Sequence, residues 1–436
     1  MNKFLLLLTL IATGSLASAS EPLRAAPVHA LRAGAARIDI TPANLTNLNA
    51  MGGSFRDVHD PIFARAVVLD NGLDTVAVLS LDLIEIGDTT AVRQRIQREL
   101  GIPVDHILIT ATHDHNAPRA GYVTPGALAH DGGPESVAFT NALYDRILDA
   151  TRQAKASLQP ARFGVGTGHA DVNVNRDEFT PQGWKLGYND TRPSDKTVWV
   201  VKIASLSGEP IALLINYAVH STVVLGTGRL SGDLAGAAER YVEGRFGDKV
   251  VALWTMGPAG DQSPRVSAGS PMPSDARAFE ERSALAFDAM NAQGTLVGAE
   301  VVRVANLIQQ MTAATRIAAA EQVFSCPLKS GVNQMADMKQ QQVSSVPIHL
   351  GLLMLNQVAL TAVSGEVVTN IYSHLKQASP LANTILLTIA NDRIGYIADD
   401  AAYDTPYFEV NGSPAARGCA ENGIVTGLVG MINQHL

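Results

Sequence analysis

The stretch Thr110-Ala-Thr-His-Asp-His-Asn-Ala-Pro118 constrains this chain more than any other. It is entered through His106-Ile-Leu-Ile-Thr110, a short β-branched run bounded by Pro103 and Pro118. Such a run reads as a buried strand. Residues i and i+2 of an extended segment face the same side, so His113 and His115 are expected to point at one spot. Imidazole is the commonest metal ligand and titrates near neutral pH. A strand end that empties into a Gly/Pro-rich loop is a usual seat of chemistry in α/β proteins. Two surface histidines at a turn would leave the same H-x-H pattern, so the motif needs company.

Other runs supply it. Asp60–Leu69 and Thr75–Leu81 flank Asn71-Gly72, a hairpin signal. Ala35–Ile40, Phe163–Gly166, Thr197–Ile203, Pro210–His220, Val250–Thr255 and Ile348–Val363 also read as strands, and Val172–Arg176 as an exposed loop. Helical spacing covers 89–100, stopping at Gly101, and 136–156, with Phe139, Leu143, Ile147 and Ala150 as its buried stripe. Residues 232–246 and the Ala-rich 275–320, broken near Gly294, read as further helices. Residues 119–135 form a Gly/Pro-rich loop of the length that functional rims have. Strands alternate with helices without repeats, which predicts an α/β fold: a mixed β-sheet core layered with helices.

Lys3, the apolar segment Phe4–Ala12 and Ala17-Ser-Ala19 form a secretory leader over residues 1–19, so residues 20–436 are expected to be exported, periplasmic or secreted. No later run is apolar enough to span a bilayer. Net charge is -8 without a basic run, which argues against nucleic acid and against anionic lipid surfaces. Cys326 and Cys419 are the only cysteines; in an oxidising compartment they are either one disulfide or two buried thiols.

Several apolar runs end on a polar residue: His113/His115, His220, Ser263, Glu366 and Tyr396. Two histidines and one glutamate are what a catalytic zinc requires, with a fourth position for water or substrate.

At these residues the sequence resembles the neutral ceramidase family, the non-lysosomal N-acylsphingosine amidohydrolases. The family's T-H-T-H-S-x-P is similar to Thr112-His-Asp-His-Asn-Ala-Pro118, and its N-R-S-P to Asn175-Arg176-Asp177. Its A-V-H-P-T resembles Ala218-Val-His-Ser-Thr222, its S-G-D resembles Ser231-Gly-Asp233, and its G-D-V-S-P-N resembles Gly260-Asp-Gln-Ser-Pro-Arg265. Gly365-Glu-Val-Val-Thr369 stands for G-E-F-T-T, and Tyr396–Tyr403 for the family's late tyrosine segment. The motifs keep family order from about Gly34 onward. Asp114, Asn116, Gln262, Arg265 and Ala398-Asp399 depart from it, and Tyr407-Phe408-Glu409 fits with a one-residue shift.

The resemblance implies Zn2+ bound by His113, His220, Glu366 and Tyr396. It implies His115 and Arg176 at the carbonyl of a scissile amide and Ser263 as the essential serine, with either that serine or a metal-activated water as the attacking group. The implied substrate is ceramide or a related lipid-like N-acyl amide, cleaved to fatty acid and free amine by a catalytic domain without the long members' C-terminal β-sandwich. The loops 119–135 (Tyr122, Val123, Leu128) and 397–413 (Tyr403, Tyr407, Phe408) are then expected to line the acyl groove. Three rivals share parts of the pattern. A binuclear hydrolase needs H-x-H-x-D-H, but Ala117-Pro118 stand where its Asp-His would be. A hydrolase of other amides, such as N-acyl amino acids, and a non-catalytic zinc-binding protein are the other two.

Overall fold

The computed structural model describes residues 29–120, 133–269, 271–331 and 344–436. The expected leader, and Tyr122, Val123 and Leu128 of the first loop, lie outside the described residues. The architecture is four layers: helices, an eight-stranded mixed sheet, a four-stranded sheet, and helices again. Alternation along each strand produces it. In Phe63–Asp70, Ala64, Ala66 and Val68 face a core shared with Leu143 and Ile147 of the helix Pro134–Ala156. Val67 and Leu69 face the other way, into a core shared with Leu353, Leu360 and Ile385 of the smaller sheet. The far side of that sheet, with Ile348, Leu350 and Leu352, packs on Ile371 and Leu375 of Thr369–Ala378 and on Ile424 and Leu428 of Ala420–Gln434.

The large sheet runs Val251–Met256, Pro210–Tyr217, Thr197–Ser205, Gln159–His169, Arg32–Asp39, Phe63–Asp70, Thr75–Leu81, Ile107–Ala111. Its outermost pairs at both ends are parallel and the inner pairs antiparallel. The sheet curls until its two edges approach without closing into a barrel. The Ser80 hydroxyl donates to Trp254 O, and the Thr388 N–H to Met256 O at 2.9 Å. Asn391 covers the free edge of Ile107–Ala111: the Ile109 N–H donates to its Oδ1 at 2.8 Å, and its Nδ2 donates to Ile107 O at 3.1 Å. Curling brings the C-terminal ends of Ile107–Ala111, Pro210–Tyr217 and Val251–Met256 together, and the residues after Val358–Val363 of the small sheet join them, where ligands sit in α/β folds.

Three sequence expectations are corrected. The helix Ala276–Leu307 is unbroken at Gly294, where a Cβ would lie 2.5 Å from Ala237 Cβ. That glycine allows close packing against the helix Asp233–Arg245 rather than a break. The Ala-rich stretch from Ile317 is not helical; it is the strand Ile317–Pro327, edge of the small sheet. Val172–Arg176 is not an exposed loop, because Asn173–Thr180 is a strand whose inner half is buried. Ile348–Val363 falls within two strands, Ser345–Leu355 and Val358–Val363. Cys326 and Cys419 form a disulfide. Among the described residues no helix is long and apolar enough to cross a membrane.

Candidate active site

The Ile107–Ala111 strand stops short of its histidines. The Thr112 and Asp114 N–H groups still donate to Leu81 O and Leu83 O, but His113 between them turns to φ 59. For a non-glycine residue that left-handed conformation is uncommon, and it clusters at functional sites. The turn, not a regular pleat, swings the two imidazoles together: their ring centroids lie 4.7 Å apart at 86°. His220 arrives three residues beyond Tyr217, its ring 4.4 Å from that of His113.

Backbone carbonyls set the tautomers. The Nδ1 of His113 lies 2.7 Å from Ile84 O, and the Nδ1 of His220 lies 2.9 Å from Gln262 O. A carbonyl only accepts, so each Nδ1 carries the proton and each Nε2 turns its lone pair inward. Those two Nε2 atoms each lie 3.2 Å from Glu366 Oε2. His115 Nε2 approaches His113 Nε2 at 3.3 Å. The Glu366 Oε2 and His115 Nδ1 are buried without a hydrogen-bond donor. Burial opposes the charge on Glu366, but His113 and His220 outweigh it and hold its carboxyl well below the usual range. Burial, then the charge of Arg176, pushes His220 down to about 3. Burial, then His113 and His220, holds His115 well below its usual value too. The Nε2 atoms of His113 and His220 thus converge on the Glu366 carboxylate, a donor set that suits a metal cation. His113, His115 and His220 offer ligand atoms within 4.8 Å of one another.

Glu366 and Tyr396 are paired residues on the short parallel strands Glu366–Val367 and Tyr396–Ile397. Burial, then the Glu366 charge, raises the Tyr396 hydroxyl above its ordinary value. Gly260 packs under this pair, where a Cβ would lie 2.6 Å from Glu366 O. Arg176 lies beside the cluster. Its Nε donates to Glu409 Oε1 at 2.7 Å, one terminal nitrogen to Gly260 O at 2.6 Å, and the other faces His220 Nε2 at 3.1 Å. Its guanidinium stands 5.3 Å from the Tyr396 ring and 5.5 Å from that of Phe408. Ser263 follows Gln262, the anchor of His220, on the strand Gln262–Pro264, opposite Val174 in the Arg176 strand. Its half-buried hydroxyl makes no hydrogen bond among the described residues.

Six of the seven residues singled out in the sequence thus form one buried cluster, and Ser263 lies one residue beyond Gln262, which anchors His220. Five supporting residues were given no role by the sequence. Glu409 neutralises Arg176, and Asp177 beside it is pushed up to about 8, by burial and then by the Glu409 charge. Asp261 accepts from Asn175 Nδ2 at 2.8 Å and from the Thr369 hydroxyl at 2.8 Å, tying the Arg176 strand to the residues after Glu366. Of the rim residues, Phe408 packs on Tyr396 with centroids 5.5 Å apart. Tyr403 and Tyr407 instead hydrogen-bond Ala415 O and Arg192, away from the cluster.

Comparisons with known proteins bear on the family and the fold. The chain is 32% identical over 178 residues to neutral ceramidase A of Dictyostelium discoideum, a match covering 37% of this chain and 24% of that protein. It is 27% identical over 265 residues to a neutral ceramidase of Drosophila pseudoobscura pseudoobscura, covering 54% of this chain and 36% of that one. These matches thus span well under half the length of the curated relatives. The crystal structure of neutral ceramidase from Pseudomonas aeruginosa superposes with a TM-score of 0.72 at 16% identity, over 93% of this chain and 75% of that one. A family model, neutral/alkaline non-lysosomal ceramidase, N-terminal, matches residues 32–351. With most of its length inside that match, the chain belongs to the neutral/alkaline non-lysosomal ceramidase family.

Proposed function

We propose that this protein is a zinc-dependent amidohydrolase that cleaves the N-acyl amide bond of ceramide or a related N-acyl lipid, giving a fatty acid and a free amine. The observation that carries the reading is the convergence of the His113 and His220 Nε2 lone pairs on the donor-less Glu366 Oε2. His113, His220 and Glu366, with Tyr396 beside them, would hold the zinc. When bound, zinc supplies a Lewis acid for a poor electrophile and lowers the pKa of a water to about 7.

The chain's own groups do the rest. Glu409 and Gly260 hold the Arg176 guanidinium against the cluster, where its N–H groups stabilise negative charge growing on the amide oxygen. The buried His115 Nδ1 has no hydrogen-bond partner among the described residues, so it is free to face the amide carbonyl. Ser263 offers a hydroxyl with no hydrogen bond among the described residues as the attacking oxygen. The buried setting keeps water from weakening these interactions. The leader expected over 1–19 and the Cys326–Cys419 disulfide support an exported protein, since disulfides persist in oxidising compartments.

The test is a panel of N-acyl substrates, from long-chain ceramides to N-acetyl amino acids, read out as free fatty acid and free amine. Release from long-chain ceramides that rises with acyl length is expected. Release from acetyl substrates alone would move the protein to small amides, and no release from any member would remove the reading.

A further inference from the structure

The strand that holds Arg176 does not end at the site. Asn173–Thr180 runs outward, turns at Pro181-Gln182 and returns antiparallel as Gly183–Asn189. Its inner half, Asn173 to Asp177, is buried, and its outer half is not. Phe179 stands opposite Trp184, and their ring centroids lie 5.1 Å apart. Alternate residues of a strand share a face, so Leu186 and Tyr188 lie on the same face as Trp184. Phe179 is 68% exposed, Leu186 47% and Tyr188 51%. Trp184 anchors the ribbon, packing edge-on against Tyr407 at 4.7 Å. The opposite face carries Glu178 and Lys185, which approach each other at 3.6 Å and offset each other's charge.

Three exposed apolar side chains beside the half-buried Trp184, all on one face of a projecting ribbon, are more than the scattered exposure normal on a surface. Trp and Tyr beside Phe and Leu match the boundary between lipid headgroups and acyl chains, where an aromatic body is buried and a polar tip stays wet. Charge decides the kind of lipid. The chain's net charge is -8 and the ribbon's own pair cancels, so an anionic layer would repel the protein while a zwitterionic one would not. We propose that this face of the hairpin docks the protein on a zwitterionic lipid layer, with the Arg176 end of the same strand a few residues from the contact. The inference rests on the lipid-amide reading above for its purpose: a long-chain substrate resides in such a layer and enters the site from it.

The experiment uses the full mature chain and phosphatidylcholine vesicles free of substrate, with binding read by co-sedimentation at low and high salt. Wild type is expected to bind at both salt levels. The double variant Phe179→Ser/Leu186→Ser is expected to bind roughly 10- to 100-fold more weakly, from the apolar area it no longer buries. Leu285→Ser, at a side chain 68% exposed on a distant helix, is expected to bind as wild type. Turnover of a short-chain, monomeric N-acyl substrate should be the same in all three proteins, which shows that the double variant is folded, while turnover of vesicle-embedded substrate should fall with vesicle binding. Equal vesicle binding by wild type and double variant overturns the proposal. So does an equal loss in Leu285→Ser, or a wild-type dimer that the double substitution dissociates. Because sedimentation needs no turnover, a protein that docks through this face yet cleaves no amide would contradict the proposed function and leave the docking surface standing.

Discussion

Glu409→Gln removes one negative charge from the candidate site and almost no volume. Arg176 and Glu409 meet at 2.7 Å with side chains 6% and 3% exposed. Removing one partner of a buried pair leaves an uncompensated charge and costs about 3–5 kcal/mol. Asp177 lies beside Glu409 and is kept protonated by burial and by the Glu409 charge. With Gln at 409 its carboxyl is freer to ionise and offset part of the loss, which puts the single variant at the lower end, about 3 kcal/mol. At roughly 2–4 °C per kcal/mol the melting temperature falls by about 6–12 °C. The double variant Glu409→Gln/Asp177→Asn has neither carboxylate and should lie nearer 5 kcal/mol. Arg176 also loses the contact that aims it, so kcat/KM should drop roughly 10²–10³, the range for one oxyanion donor. Metal content should not change. Thermal melting, metal analysis and kinetics on the three proteins decide it. A Glu409→Gln protein that melts with wild type and turns over normally would refute the assignment of Glu409 as the group that holds Arg176.

Asp177→Asn has a pH signature. The Asp177 pKa is raised from 3.8 to about 8 on folding, so its stabilising contribution is complete below about pH 3.8 and lost as pH rises towards 8. The Asn variant should therefore gain on wild type steadily from pH 4 to 8 in chemical denaturation, and a gap that ignores pH contradicts the shift. Gly260→Ala places a methyl 2.6 Å from Glu366 O, so it should cost about 1–3 kcal/mol in unfolding and weaken metal binding; normal metal affinity would show that Gly260 does not seat Glu366. Ser263→Ala should abolish turnover and keep the metal, since its hydroxyl is not among the converging donors; a fully active variant would exclude Ser263 as attacking group.

The site residues were legible where a strand delivers them. His113, His115, His220 and Glu366 each follow an apolar run, and a strand end is visible in one sequence. The route by which His113 reaches His115 was not, because a positive φ at a non-glycine residue is set by the Leu81 and Leu83 carbonyls, far off in sequence. Arg176 read as exposed because Asn-Val-Asn-Arg has the composition of a loop; burial comes from Glu409, 233 residues away. Asp261 and Thr369 were illegible for the same reason. Ile317–Pro327 misled through its alanines, whose helix preference loses to full-length pairing with Ser345–Leu355. Gly294 misled in the opposite sense: within a helix it marked close contact with Ala237, not a break.

The most direct test of the whole account is to strip the protein with a chelator and titrate zinc back while following release of fatty acid from a long-chain ceramide. The account predicts no release from stripped protein, full recovery at one zinc per chain, and no recovery at any zinc level in His113→Ala. Full activity in the stripped protein, or an endpoint at two zincs per chain, would contradict it.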